Sequence, residues 1–73
     1  MTTEIDALGL LCPLPVLRLR KRLEPLTPGD VVVLVADDPA AIVDVPHFCA
    51  EAGHELLNSD ADAMPLKFTI RKS

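Results

Sequence analysis

The run Val31-Val32-Val33-Leu34-Val35-Ala36 constrains this chain more than any other stretch. It is rich in β-branched residues and shows no alternation of apolar and polar positions. Such a run suits a strand buried on both faces or central in a sheet. The other segments must then be arranged around it. Leu66 to Arg71 reads as a half-buried strand, because Leu66, Phe68 and Ile70 alternate with Lys67, Thr69 and Arg71. Residues 4–8, with Ile5 and Leu8, read as a short edge strand that Gly9 punctuates. His54 to Ser59, holding Leu56 and Leu57, reads as a further strand, and residues 60–65 as a loop.

Between these strands the periodicity becomes helical. Val16, Leu19, Leu23 and Leu26 recur at spacings of three and four, while Arg18, Arg20, Lys21 and Arg22 fill other faces. Pro13 fits a first helical position, where its missing N–H costs nothing. Pro25 weakens the last turn, and Thr27-Pro28-Gly29-Asp30 ends the helix. Asp37-Asp38-Pro39 repeats the helix-start pattern, with an Asp cap before a proline. A second helix is expected over Pro39 to Ala52, with Ile42, Val45, Cys49 and Ala52 facing the core. Pro46 is expected to kink or split it, and Gly53 to stop it. The order is β-α-β-α-β-β. The simplest way to bury these faces is an α+β two-layer sandwich, a four-stranded mixed sheet with both helices on one face. With 73 residues the chain reads as one domain, 1–73.

Composition narrows the function. The formal charge is −4, from eleven acidic and seven basic residues. This disfavours direct binding to nucleic acid, which needs many phosphates neutralised. No apolar run approaches the roughly 18–20 residues of a membrane span. The N-terminal residues do not read as a signal peptide. The two cysteines, Cys12 and Cys49, do not make a disulfide framework, so free thiols in a reducing cytoplasm are expected. Cys49, beside Phe48, reads as a small core residue.

Cys12 is different. It lies in Leu11-Cys12-Pro13-Leu14-Pro15, where the chain passes from a strand into a helix. As a helix N-cap its sulfur would sit near unpaired backbone N–H groups and the positive end of the dipole, which favour a thiolate. Pro13 and Pro15 would stiffen the turn and hold Cys12 outward. No second cysteine follows within three residues, unlike a C-x-x-C redox enzyme, so passing a group on is favoured over oxidising or reducing a substrate. Leu14 and Leu17 lie off the core stripe and, with Arg20 and Lys21, are candidates for a partner-docking face around the thiol. Asp38 is expected near Cys12, since both helices should begin at one sheet edge. Its simplest role is cap of the second helix, with partner contact the sharper alternative. His47, Cys49 and His54, with Cys12 as a fourth ligand, lack the paired spacing of a structural zinc site, so no metal is assigned. No cofactor is implied. No Ser-His-Asp arrangement or phosphate-cradling glycine loop is visible.

Along nearly its whole length, Ile5 to Lys72, the chain resembles the TusA family of small sulfur-carrier proteins, also called SirA-like. The resemblance rests on Ile5-Asp6-Ala7-Leu8-Gly9 followed by the Cys-Pro-x-Pro motif Cys12-Pro13-Leu14-Pro15. It continues through Pro28-Gly29-Asp30, Ala36-Asp37-Asp38-Pro39, Asp44-Val45-Pro46, Phe48-Cys49, Gly53-His54-Glu55-Leu56 and Ile70-Arg71-Lys72. One departure is Leu11, where the TusA branch often has a basic or polar residue. The resemblance implies a β-α-β-α-β-β sandwich and a persulfide carried on Cys12. A cysteine desulfurase or rhodanese-like donor would load that sulfur. An acceptor protein in tRNA 2-thiouridine synthesis or sulfur oxidation would take it. A carrier visiting two partners suits a free monomer. Two other readings stay open: a non-enzymatic adaptor that binds a partner through the first helix, and a thiol redox sensor using Cys12 and Cys49.

Overall fold

A computed structural model describes residues 2–73, as β1 (Thr2–Ala7), α1 (Leu14–Leu23), β2 (Val31–Ala36), α2 (Ala41–Ala52), β3 (Glu55–Asp60) and β4 (Leu66–Arg71). The strands form one sheet in the order β1-β2-β4-β3. β1 runs parallel to β2, while β4 is antiparallel to both β2 and β3. Thus β1, β2 and β3 point the same way. The crossovers β1-α1-β2 and β2-α2-β3 both step in the same direction across the sheet. Right-handed connections then place both helices on one face.

The register shows how that face is built. Ile5 pairs with Leu34 and Leu34 with Phe68; Ala7 pairs with Ala36 and Ala36 with Leu66; Val32 pairs with Ile70. All of these are buried, and they pack with Leu19 and Leu23 of α1 and Ala41, Val45 and Cys49 of α2 in one core. The expected edge strand and central strand are both present. β2 is central through its two neighbours rather than through cover on both faces. Val31 and Val33 on the open side are only half-buried. β3 carries an irregularity in its pairing between Leu56 and Asn58, which leaves Leu57 exposed.

Both helices depart from their expected limits. α1 begins at Leu14, with Pro13 in the cap position and Pro15 buried within the first turn. It ends at Leu23; Glu24 still holds helical dihedrals, and Pro25, with no N–H to donate, cannot extend the bonding pattern. Val16 and Leu26 pack partly against the core. α2 begins at Ala41 rather than Pro39. Residues 38–40 form a tight turn in which the Ala40 N–H donates to Asp38 Oδ1 at 3.1 Å and the Ala41 N–H to the Asp38 carbonyl at 3.0 Å. The buried stripe of α2 is therefore Ala41, Val45 and Cys49. Ile42, one residue and about 100° off this stripe, is exposed, and so is Ala52 at the helix end.

Pro46 neither kinks α2 apart nor splits it. The bond it cannot donate would go to the carbonyl of Ile42, on the exposed side of the helix, where water can take its place. Gly53 closes α2 at φ 79°, a left-handed conformation that a side chain disfavours. The end of α1 is closed differently. The Lys72 ammonium donates to the carbonyls of Leu23, Glu24 and Leu26 at 2.8, 3.1 and 2.6 Å. Among the described residues no helix is long and apolar enough to cross a membrane.

Candidate functional site

Because β1 and β2 are parallel, the connections leaving their C-terminal ends emerge side by side. This brings the Cys12 loop against the start of α2. Carboxylates do the fastening. The Gly9 N–H, at φ 76°, donates to both oxygens of Asp37 at 3.1 Å. The Cys12 N–H donates to Asp38 Oδ2 at 2.6 Å. The other oxygen of Asp38 holds the Ala40 N–H. Asp38 thus bridges the cysteine backbone to the turn before α2. It is not the N-cap itself, which is Ala40.

Cys12 is exposed, and its thiol donates to Asp44 Oδ2 of α2 at 2.8 Å. This overturns the expectation of a thiol made more acidic by the helix start. Cys12 is not the cap, and its sulfur bonds a carboxylate rather than the N–H groups of α1. The hydrogen bond to Asp44, then desolvation, then the charges of Asp44 and Asp38 push the thiol above its ordinary value. Each favours the neutral form over a thiolate.

The thiol opens on a cleft of about 290 Å³. Val16 and Phe48 supply its apolar lining, Arg20 lines the α1 side, and Asp44, His47 and Glu51 line the α2 side. His47 Nε2 lies 3.2 Å from Glu51 Oε1. Asp44, His47 and Glu51 sit at i, i+3 and i+7, one face of a helix, and that spacing was the available signal for this wall. It was missed because the polar face of α2 gave no reason to look past Asp38.

The expected docking residues divide. Arg20 shares the cleft with Cys12. Leu14, Leu17 and Lys21 instead line a separate groove of about 280 Å³ with Leu10 and Arg18. Leu14 and Leu17 are each 48 % exposed, so this groove is apolar with a basic rim.

Cys49 is buried in the core, burial pushes its thiol up, and both cysteines are free. His54 accepts the Ser73 N–H through Nδ1 at 3.3 Å, and its ring lies 5.8 Å from that of Phe48. Among the described residues no three His, Cys, Asp or Glu side chains are grouped to hold a metal ion.

Residues 3–72 match the family model described as "Sulfurtransferase TusA". The chain belongs to the TusA family. Membership gives it a sulfur-carrier or sulfurtransferase role. The crystal structure of a SirA-like protein from Desulfitobacterium hafniense is similar throughout, with a TM-score of 0.81 and 30% sequence identity over 97% of this chain and 96% of that one. At that level of similarity the SirA-like neighbour shares this fold.

Proposed function

We propose that the chain is a single-domain cytoplasmic sulfur carrier that accepts a persulfide sulfur on Cys12 and passes it to an acceptor protein. The observation that carries this reading is an exposed thiol at the mouth of a cleft, on a loop pinned by Asp37 and Asp38. The sulfur is reachable, yet its backbone is fixed. Loading would proceed by attack of the Cys12 sulfur on the outer sulfur of a donor persulfide. The new bond joins Cys12 Sγ to that sulfur, and the donor's own S–S bond breaks. The donor cysteine leaves as a thiolate and takes up the proton that Cys12 gave up. No electrons are gained or lost overall, and discharge to an acceptor is the same exchange in reverse roles.

The donor is a cysteine desulfurase or a rhodanese-like protein, and the acceptor belongs to tRNA 2-thiouridine synthesis or sulfur oxidation. Pro13 and Pro15 support the turn. Arg20 and Asp38 contact partners beside the thiol, while Leu14, Leu17 and Lys21 offer partners a second surface on α1. The carrier works as a monomer, without a cofactor and without binding nucleic acid directly. An adaptor role through α1 is favoured only by that apolar, basic-rimmed groove, which does not include Cys12.

Incubation with a cysteine desulfurase and free cysteine, followed by intact mass measurement, tests the proposal. The native chain is expected to gain the mass of one sulfur atom, which a reducing agent removes. Cys12→Ser is expected to gain none. A native chain that stays unmodified, or a Cys12→Ser chain that loads equally, contradicts it.

A further inference from the structure

A carrier exposed to small oxidants and electrophiles between partners gains from a nucleophile that stays quiet until it is engaged. The geometry around Cys12 supplies such a restraint. Asp44 Oδ2 is 2.8 Å from the sulfur, and no backbone N–H of α1 is hydrogen-bonded to it. Among the described residues, these charged groups lie at the thiol and its cleft. Asp38 sits on the connection before α2; Asp44, His47 and Glu51 lie on α2; Arg20 lies on α1. Asp37 is engaged with Gly9. His47 is beside Glu51, and Arg20 forms no ion pair with Asp44 among the described residues. Among the described residues, the carboxylate at the sulfur is thus in no ion pair with a cation.

We propose that Asp44 is a positioning residue that holds Cys12 as a protonated, resting thiol in the free carrier, and that neutralising this carboxylate releases the nucleophile. The inference rests on sulfur transfer through Cys12 and assigns its regulation. A negative charge beside a thiol makes its ionisation harder, and a positive group entering the cleft cancels that effect. Reagents that bring a positive charge to the sulfur should therefore react preferentially, and a donor protein should present a basic side chain next to its persulfide.

Alkylation of the native chain by iodoacetamide across pH, read separately for the two cysteines by peptide mass, gives the first test. The Cys12 rate should reach its midpoint at higher pH than the same cysteine in the denaturant-unfolded chain. A midpoint at or below the unfolded one overturns the proposal, with no variant needed. In Asp44→Asn the Cys12 rate at neutral pH should rise roughly tenfold, the effect of removing one adjacent charge. Asp44→Glu should keep the native profile. Cys49 should stay unreactive in all three, which reports that the fold is intact. The second arm compares cystamine, a cationic disulfide, with hydroxyethyl disulfide, a neutral one. Thiolate attack forms the mixed disulfide and expels the other half as a thiol, so each reaction is balanced. The preference for cystamine should be several-fold greater in the native chain than in Asp44→Asn. Equal preference in the two overturns the release by positive charge. If desulfurase loading succeeds while Asp44→Asn changes neither profile, only this inference falls. If the profiles shift as expected but no sulfur is loaded, the carrier function falls instead.

Discussion

At the scale of single residues, the state of Cys12 is set by a carboxylate, since its thiol donates to Asp44 Oδ2. A cysteine between a strand and two prolines marks itself as unusual in any reading of the chain. Whether its sulfur meets N–H groups or a carboxylate depends on where α1 starts, and boundaries shift by a residue or two without any change in pattern. Here the start moved from Pro13 to Leu14, and Asp44 arrived from a helix whose polar face carries no local signal for contact with residue 12. Asp38 lies near Cys12 as expected, and it also ties two backbone segments together. Replacing it by Ala removes charge-assisted bonds to the N–H groups of Cys12 and Ala40. We expect a loss of about 1–2 kcal/mol in urea unfolding. We also expect slower sulfur loading, because the Cys12 loop loses its anchor. Unchanged stability would show that the bridge is dispensable.

Among the elements, β2 and β4 fall where their patterns place them, because an unbroken apolar run and a strict alternation each admit one reading. The helices were less well bounded. A proline inside a periodic segment signals an interruption, yet Pro46 is accommodated where the missing bond faces water. The stripe of α2 follows a spacing of four from Ala41, and Ala is too weak an apolar marker to reveal it. The basic residues at the end of the chain gave no hint that Lys72 would close α1. Its ammonium takes three carbonyls at and just past the negative end of that helix, two of them in part-buried bonds, so it satisfies open acceptors and complements the dipole. Lys72→Met keeps the length of the stem and removes the charge. It should destabilise the fold by about 1–2 kcal/mol, with the loss confined to unfolding and little change in Cys12 alkylation. Stability equal to that of the native chain would show that water serves those carbonyls as well.

For the molecule as a whole, the topology follows from the order of elements and the right-handed crossover rule, so the two-layer arrangement could be read before any coordinates. What the order does not give is register, the irregularity at Leu57, or which α1 side chains share the thiol's cleft. Those depend on how the helices settle on the sheet. The whole fold also carries a pH signature. Burial pushes the Cys49 thiol up, and Asp44 does the same for Cys12. A group with a raised folded value contributes stability that is complete below its unfolded value, about 8.5 for a thiol. That stability is lost as pH rises toward the folded value. Thermal midpoints should therefore hold steady near neutral pH and fall above about pH 8.5. The decline should be shallower in Cys49→Ala, although that variant starts lower because a buried atom is gone. A parallel decline in both chains would mean the buried thiol does not set the slope.

The location of the transferred sulfur is the most direct test of the account. Trypsin separates the two cysteines, since Cys12 lies in the peptide of residues 1–18 and Cys49 in that of residues 23–67. After loading by a desulfurase and trapping of persulfides by alkylation, mass mapping should place the extra sulfur on residues 1–18 alone. Extra sulfur on residues 23–67, or on neither peptide, would contradict it.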